Sequence, residues 1–276
     1  MSDAISLCMI CRDEEKTLYR CLFHAADLVD DIVVVDTGST DRSVEHAHLF
    51  TDRVFHLPWR DDFSEARNFS IAQARCDWLL FLDADEVIYP AELAALRALL
   101  AGGDLAGVVL DRHEFEVNYT NLAHDDDIPW PAIEAEVQPK LRLVRRQPGL
   151  RFAGRVHESL DSRTRVGRDL RPGIRFAHYR DRTRNQRKAD YYMALEEEAL
   201  VIEPRNSNAH YNALQTYVLR GWREQFRAGI EHLSYVEPRY LAQFEDLRDR
   251  LAALGWEIEA ERVAALVAGH RAPEGR

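Results

Sequence analysis

The sequence predicts an α/β protein: a mostly parallel sheet flanked by helices, followed by an all-α segment. Three observations carry this. Through the first half, short apolar runs alternate with stretches of helical period, the pattern of strands joined by crossover helices. Two of those runs end on carboxylates, at Asp36 and Asp83. In the last third the alternation stops and a 34-residue spacing replaces it: Pro204 to Pro238, and Gly221-Trp222 to Gly255-Trp256.

The apolar run Ile5 to Ile10 reads as the first strand, and Glu14 to Asp27 as a helix with Leu18, Cys21, Leu22 and Ala25 on one face. Asp31 to Val35 is β-branched and apolar throughout, as a strand covered on both faces should be. Asp41 is placed to cap a helix running to His48. Val54 to Leu57 reads as a short strand, Ser64 to Ala74 as a helix and Trp78 to Leu82 as a central strand. Pro90 opens a further helix in its first turn. Later strands are expected from Val108 to about Tyr119, from Pro139 to Arg145 and from Ile174 to His178. Between Asn121 and Glu136 the chain reads as a long loop of the kind that covers a substrate.

A 34-residue period is the length of a tetratricopeptide helix-turn-helix unit. With Ser207 as the first position, Ala209, Tyr211, Leu214, Tyr217, Gly221, Ile230 and Pro238 fall where such a unit places its apolar, turn and terminating residues. Phe226 departs from that pattern, since its position normally takes a small residue for close helix packing, and His210 stands where a large aromatic is usual. The expected division is therefore 1–184 for the α/β domain and 185–276 for a tetratricopeptide-like helical region.

The chain has 276 residues, 30% of them charged, and a mean hydropathy of −0.39. No run approaches the ~18 apolar residues of a membrane span, and Met1-Ser2-Asp3-Ala4 lacks the layout of a signal peptide. The expected location is cytoplasmic, with peripheral contact at the inner face of a membrane left open. Cys8 and Cys11 have C-x-x-C spacing, but no second pair of ligands accompanies them and Cys8 lies inside an apolar run, so both are expected in the core. The net charge is −11, yet Lys140 to Lys188 holds sixteen Lys/Arg against four Asp/Glu. That segment is either a solvated surface or a wall for a phosphate-bearing ligand. Nucleic acid is not expected as a partner, because no recognition helix or stacking-aromatic motif accompanies the charge. No G-x-G-x-x-G and no P-loop sequence is present, which argues against a dinucleotide enzyme or a P-loop NTPase.

Asp83-Ala84-Asp85 follows directly on the predicted central strand. Carboxylates at the carboxyl end of a parallel strand face the crevice where such sheets bind ligands. They are either a helix cap or a site for a hard cation, and Mg2+ or Mn2+ suits a few carboxylate oxygens joined by substrate phosphates. Asp36, before Thr37-Gly38-Ser39-Thr40-Asp41, occupies the same kind of position. It can accept from a nucleobase N–H, or simply close the strand-to-helix turn.

Four segments together resemble the family 2 glycosyltransferases, whose fold is the GT-A (Rossmann-like) type: Ile5 to Glu15, Val33 to Asp41, Asp62 to Asn68 with its Ala66-Arg67-Asn68, and Leu80 to Glu86. The resemblance implies a nucleotide loop containing Cys11, Arg12 and Glu14, base contacts from Asp36 and Arg67, a ribose contact from Asp83 and a metal ligand in Asp85. Arg12 stands where relatives often carry an aromatic residue near the base, a place its guanidinium can fill by stacking. Gly154-Arg155-Val156-His157-Glu158-Ser159 resembles the Val-His-Glu segment of a branch that includes lipopolysaccharide-core and bacterial peptide glycosyltransferases. By that likeness Glu158 is the general base that takes the acceptor's proton, and His157 orients it or meets the acceptor. His178 stands where similar transferases place a late histidine on the metal or diphosphate. Arg151, Arg155, Arg180 and Arg182 are candidates for the diphosphate. The implied activity is inverting transfer of a sugar from a nucleotide-sugar donor, UDP-linked, to a glycan, lipid-linked or peptide acceptor, with Mg2+ or Mn2+ assisting UDP departure. The alternatives are a sugar-phosphate nucleotidyltransferase, which would want a glycine-rich phosphate loop that Cys11 to Glu15 lacks, and a non-catalytic helical-repeat binding protein.

Overall fold

The computed structural model describes residues 3–88, 90–101, 105–117, 137–160, 169–181, 185–203 and 205–270. The expected loop 121–136, Arg182 and Pro204 lie outside the described residues. Two compact units are present. The first is Met1–Arg60, Ser64–Ala153 and Leu160–Gln186; the second is Asp61–Phe63, Gly154–Ser159 and Arg187–Arg276.

The first unit is built on an eight-stranded mixed sheet. Its strands are β1 (Ile5–Cys11), β2 (Asp31–Asp36), β3 (Val54–His56), β4 (Trp78–Phe81), β5 (Glu86–Ile88), β6 (Gly107–Val117), β7 (Val137–Arg145) and β10 (Asp169–Asp181), in the order β3-β2-β1-β4-β7-β6-β10-β5. Two short strands, β8 (Phe152–Ala153) and β9 (Ser159–Leu160), pair separately. The four strands β3-β2-β1-β4 run parallel, joined by the helices α1 (Leu18–Ala26), α2 (Ser43–His48) and α3 (Phe63–Gln73). At β4 the sheet changes character: β7 pairs antiparallel with both β4 and β6, and β5 pairs antiparallel with β10.

Alternate residues of a strand face opposite sides, and the core follows that rule. Leu7 and Met9 of β1 and Leu80 of β4 pack on one face with Leu18, Leu22 and Ala25 of α1 and with Leu96 and Leu100 of α4 (Pro90–Ala101). Cys8, Leu79 and Phe81 face the other way, onto Ile71 of α3 and Ala74 just after it. Cys8 and Cys11 are accordingly buried, and all four cysteines are free thiols.

Two local expectations are corrected. The first helix begins at Leu18 rather than Glu14, because residues 15–17 form a turn whose Thr17 and Leu18 amides donate to the Glu14 carbonyl. The N-cap of α2 is Arg42 rather than Asp41. Asp41 still serves that helix end: its Oδ1 accepts the Ser43 amide at 2.9 Å, while Oδ2 accepts the Glu15 amide at 3.0 Å.

The second unit carries α5 (Asn185–Ile202), α6 (Ser207–Arg220), α7 (Arg223–His232), a 3-10 turn at Pro238–Tyr240, α8 (Leu241–Ala253) and α9 (Glu257–His270). The 34-residue period is visible as two equivalent helix-to-helix turns. Gly221 and Gly255 take left-handed φ values of 70° and 73°, which glycine adopts without a Cβ penalty. The Trp222 amide then donates to Tyr217 O and the Trp256 amide to Leu251 O, at 2.8 and 2.9 Å. Phe226 is fully buried and meets the Trp256 ring edge-on at 6.1 Å. The close approach of α6 and α7 falls instead at Gly229, where a Cβ would stand 3.2 Å from Tyr217 and 3.3 Å from Leu214. The small residue is thus present three positions later than the repeat pattern expects. No helix among the described residues is long and apolar enough to cross a membrane.

Phe226→Ala should empty a fully enclosed volume and lower the stability of the helical unit by about 3–5 kcal/mol. Urea unfolding followed by far-UV circular dichroism measures it; a loss under about 1 kcal/mol would mean that the repeat does not close around this ring.

Candidate functional site

Because β1, β2 and β4 are parallel, their carboxyl ends share one edge of the sheet. Cys11, Asp36 and the Asp83-Ala84-Asp85 segment all lie there. The loops after β1 and β2 are stitched to one another. Thr37 donates to the Cys11 carbonyl through its amide at 3.0 Å and its hydroxyl at 3.1 Å. The Thr40 amide donates to Asp13 Oδ1 at 2.7 Å, and the Glu14 amide donates to Ser43 Oγ at 2.7 Å. Asp13 takes a left-handed φ of 52° to allow this. Cys11 is buried, and burial pushes its thiol well up. Arg12 is exposed, while Glu14 Oε2 accepts from the Thr17 hydroxyl at 3.1 Å. Asp36 is 3% exposed, accepts the Gly38 and Ser39 amides at 3.2 and 3.0 Å, and faces His56 Nδ1 at 3.1 Å. Its carboxylate closes the turn as well as sitting at the ligand edge.

At the end of β4, two arginines meet two carboxylates. Arg67 of α3, buried, pairs with Asp83. Arg142 of β7 pairs with Glu86 and reaches Asp83 at 3.4 Å. The guanidinium of Arg142 also lies over the Phe176 ring, 5.3 Å from its centroid. Burial works against ionising Asp83, but Arg67 and Arg142 outweigh it and hold that carboxyl well below the usual range. Glu86 is fully buried, and burial pushes it up to about 7, with Arg142 acting against that rise and Asp83 adding to it. Asn68, next to Arg67, behaves like a strand backbone: it donates to Phe152 O at 2.9 Å and accepts the Phe152 amide at 2.8 Å.

The unforeseen strand β5 sets the rest of the site. It pairs antiparallel with β10 in the register His178↔Glu86, and the Tyr179 amide donates to Asp85 O at 2.9 Å. That register brings the His178 ring to Asp85, with Nε2 3.6 Å from Oδ2, and places Nδ1 3.8 Å from Glu114 Oε1. Burial lowers the His178 pKa, but the Asp85 and Glu114 carboxylates overcome this and raise it to about 9.

The structure thus brings four of the candidate residues together in two pairs within the first unit, Arg67 with Asp83 and Asp85 with His178. Glu158 and His157 belong to the second unit. There His157 Nε2 meets Glu196 Oε1 at 2.6 Å. Of the four arginines considered for a diphosphate, Arg155 pairs with Glu198 at 2.9 Å within the second unit, and Arg151 is exposed. The Arg180 side chain, like Arg182, lies outside the described residues. Sequence reasoning missed Arg142, Glu86 and Glu114. The signal for Arg142 was present: Lys140 and Arg142 alternate with Leu141 and Leu143 in a predicted strand, which turns both basic side chains to one face. Glu86-Val87-Ile88 was too short a run to separate from the turn before it.

The family model described as glycosyl transferase family 2 matches residues 6–158. A tetratricopeptide repeat-containing protein of Synechococcus elongatus is 37% identical over 157 residues, covering 57% of this chain and 35% of that protein. The glycosyltransferase SunS of Bacillus subtilis is 30% identical over 156 residues, covering 54% of this chain and 33% of SunS. The chain spans about a third of the length of these curated relatives. Among solved structures, glucosyl-3-phosphoglycerate synthase of Mycobacterium tuberculosis, in complex with Mg2+ and UDP, has 26% identity over 41% of this chain and 43% of that one. Its TM-score of 0.34 is too low to establish a shared architecture.

Glu86 gives the site a pH signature. Its folded pKa, about 7, lies above the ordinary value of 4.5, so the folded state holds this proton more tightly than the unfolded chain does. The stability that proton contributes is full below pH 4.5 and is lost as pH rises through 7. Glu86→Gln removes the titration. In metal-free buffer, wild type should lose stability relative to Glu86→Gln as pH rises from 4.5 to 8. Paired urea titrations test this, and a pH-independent difference would show that Glu86 is not held in this environment.

Proposed function

This chain belongs to glycosyl transferase family 2, and from that premise we propose that it moves a sugar from a UDP-linked donor to a hydroxyl or other nucleophile of a glycan, lipid-linked or peptide acceptor, with inversion and with a divalent cation. The observation that carries the reading is the pairing of Asp85 with His178 beside Asp83, at the carboxyl end of the parallel strands.

The residues present fit a hard cation. Among the described residues no group of three His, Cys, Asp or Glu gathers to hold a metal. Two donors of mixed type, with side chains 23% and 17% exposed and 3.6 Å apart, are what remain. Mg2+ and Mn2+ are commonly held by one or two carboxylates, with water and substrate phosphates completing the shell, and Asp85 supplies one such group. Asp85 and His178 would hold the ion, His178 giving up its extra ring proton on binding, and the ion when bound neutralises charge on the departing diphosphate.

The chain's own residues take the other roles. Arg67 and Arg142 hold Asp83 as a carboxylate, so that it accepts from ribose hydroxyls at neutral pH. Asp36 lies at the end of the adjoining strand, where a nucleobase N–H would meet it. Inverting transfer needs one carboxylate to take the acceptor's proton as the new bond forms at the anomeric carbon. Glu158 has that role, and the leaving UDP carries away the electron pair of the broken glycosidic bond.

Thermal melting with a panel of nucleotide sugars, with and without Mn2+, tests the donor reading. UDP or a UDP-sugar should raise the melting temperature of wild type only when Mn2+ is present, and Asp85→Ala should abolish the effect. If neither UDP nor any UDP-sugar stabilises wild type, the reading fails. Glu158→Gln should keep the UDP shift and lose turnover by about 10²–10⁴-fold. Loss of UDP binding by that variant would remove Glu158 from the role of base.

A further inference from the structure

Resting on the reading of Gly154–Ser159 as the acceptor-side segment, we propose that Glu196 of α5 is a positioning residue: it holds the His157 ring, and with it the left-handed turn from which Glu158 continues. The whole segment is fastened within the second unit. Gly154 takes a φ of 100°, and a Cβ there would stand 3.0 Å from Asn206 Nδ2. Asn206 is itself fixed as the N-cap of α6, accepting the Ala209 amide at 3.1 Å. Arg155 donates to Glu198 at 2.9 Å and to the Asp61 carbonyl at 3.2 Å, and its own carbonyl accepts the Phe63 amide at 2.8 Å. Val156 is buried against Leu195, Ala199 and Ala209. The His157 carbonyl accepts from Asn208, and the His157 ring lies along Tyr192, which stacks in turn on Phe63.

His157 takes a φ of 52°, one of three non-glycine residues with positive φ among the described residues. A residue stays in that region only when its surroundings over-determine it, and such strain gathers at functional positions. Glu196 supplies the charged part of that constraint. It is 3% exposed, and its Oε1 lies 2.6 Å from His157 Nε2. Its other oxygen, Oε2, is buried with no hydrogen-bond partner among the described residues. A packing role alone would not call for a buried carboxylate at this place. An ionised carboxylate only accepts, so Nε2 carries a proton toward Glu196. This fixes the Nε2 proton and the plane of the ring, and through the ring the backbone that directs Glu158.

The test uses the full chain with ¹⁵N-labelled histidine, as wild type, Glu196→Gln and Glu196→Ala, with thermal melting as the folding control. Ring ¹⁵N spectra report the His157 tautomer. Hydrolysis of the UDP-sugar that the nucleotide-sugar panel selects, with water as acceptor, reports turnover. Wild type should show the Nε2–H tautomer. Glu196→Gln, whose amide oxygen can still accept, should retain it and stay within about threefold of the wild-type rate. Glu196→Ala should show mixed tautomers and lose at least about tenfold in kcat, the scale that misplacement of a reacting group produces, with donor KM within about twofold. A ring signature that survives Glu196→Ala overturns the positioning contact whatever the rates do. A lost signature with an unchanged rate overturns its link to turnover. Failure of the proposed function would show instead in wild type, as no hydrolysis of any nucleotide sugar. That outcome removes the premise and overturns the inference, while the spectra still report whether the contact exists.

Discussion

Glu86 can be fully buried beside the end of the central strand only because Arg142 comes with it, and Arg67 and Arg142 together hold the partly exposed Asp83 as a carboxylate. Removing a carboxylate from water costs several kcal/mol unless counter-charge and hydrogen bonds replace the solvent. Much of the first unit supplies that replacement. The helix α3 sets Arg67 beneath Asp83. The reversal of the sheet at β4 supplies Arg142: β7 runs antiparallel with Leu80 opposite Leu143, so the next step along the pair brings Arg142 to the carboxyl end of β4. A fully parallel sheet would need a crossover to place a strand here, and its direction would carry this part of the chain away from the edge.

The same reversal builds the second half of the site. After Asp85 the chain turns back as β5 and pairs antiparallel with β10, a register that brings His178 to Asp85. On the other side, the loops after β1 and β2 are tied by Asp13, Asp41, Ser39 and Ser43, which accept amides across the gap. These ties fix the two loops to one another before any ligand arrives, which lowers the ordering cost of binding.

Much of this was legible in the sequence, for identifiable reasons. Strands buried on both faces are continuous and apolar, so Asp31 to Val35 and Trp78 to Leu82 stood out. Carboxylates directly after such runs have few explanations, which is why Asp36, Asp83 and Asp85 stood out as candidates. The turns at Gly221 and Gly255 were legible because a left-handed φ demands glycine and the spacing repeats. What escaped depended on pairing over long sequence distances. Nothing local to Glu86-Val87-Ile88 announces that it lies against Phe176-Ala177-His178, and nothing local to Arg142 names Asp83 and Glu86 as its partners. The exchange of a small residue at 226 for one at 229 was hidden for the same reason, because the repeat pattern gives the position of a contact but not which neighbour yields space for it.

On the proposed function, the edge formed by Asp83, Asp85 and His178 holds a metal-bound nucleotide. The most direct measurement of this is an anomalous difference map from crystals grown with Mn2+ and UDP. The account predicts one manganese peak in contact with both Asp85 and His178, with the diphosphate on the ion and the ribose at Asp83. Manganese bound elsewhere with these side chains unliganded, or UDP seated without contact to this edge, would contradict it.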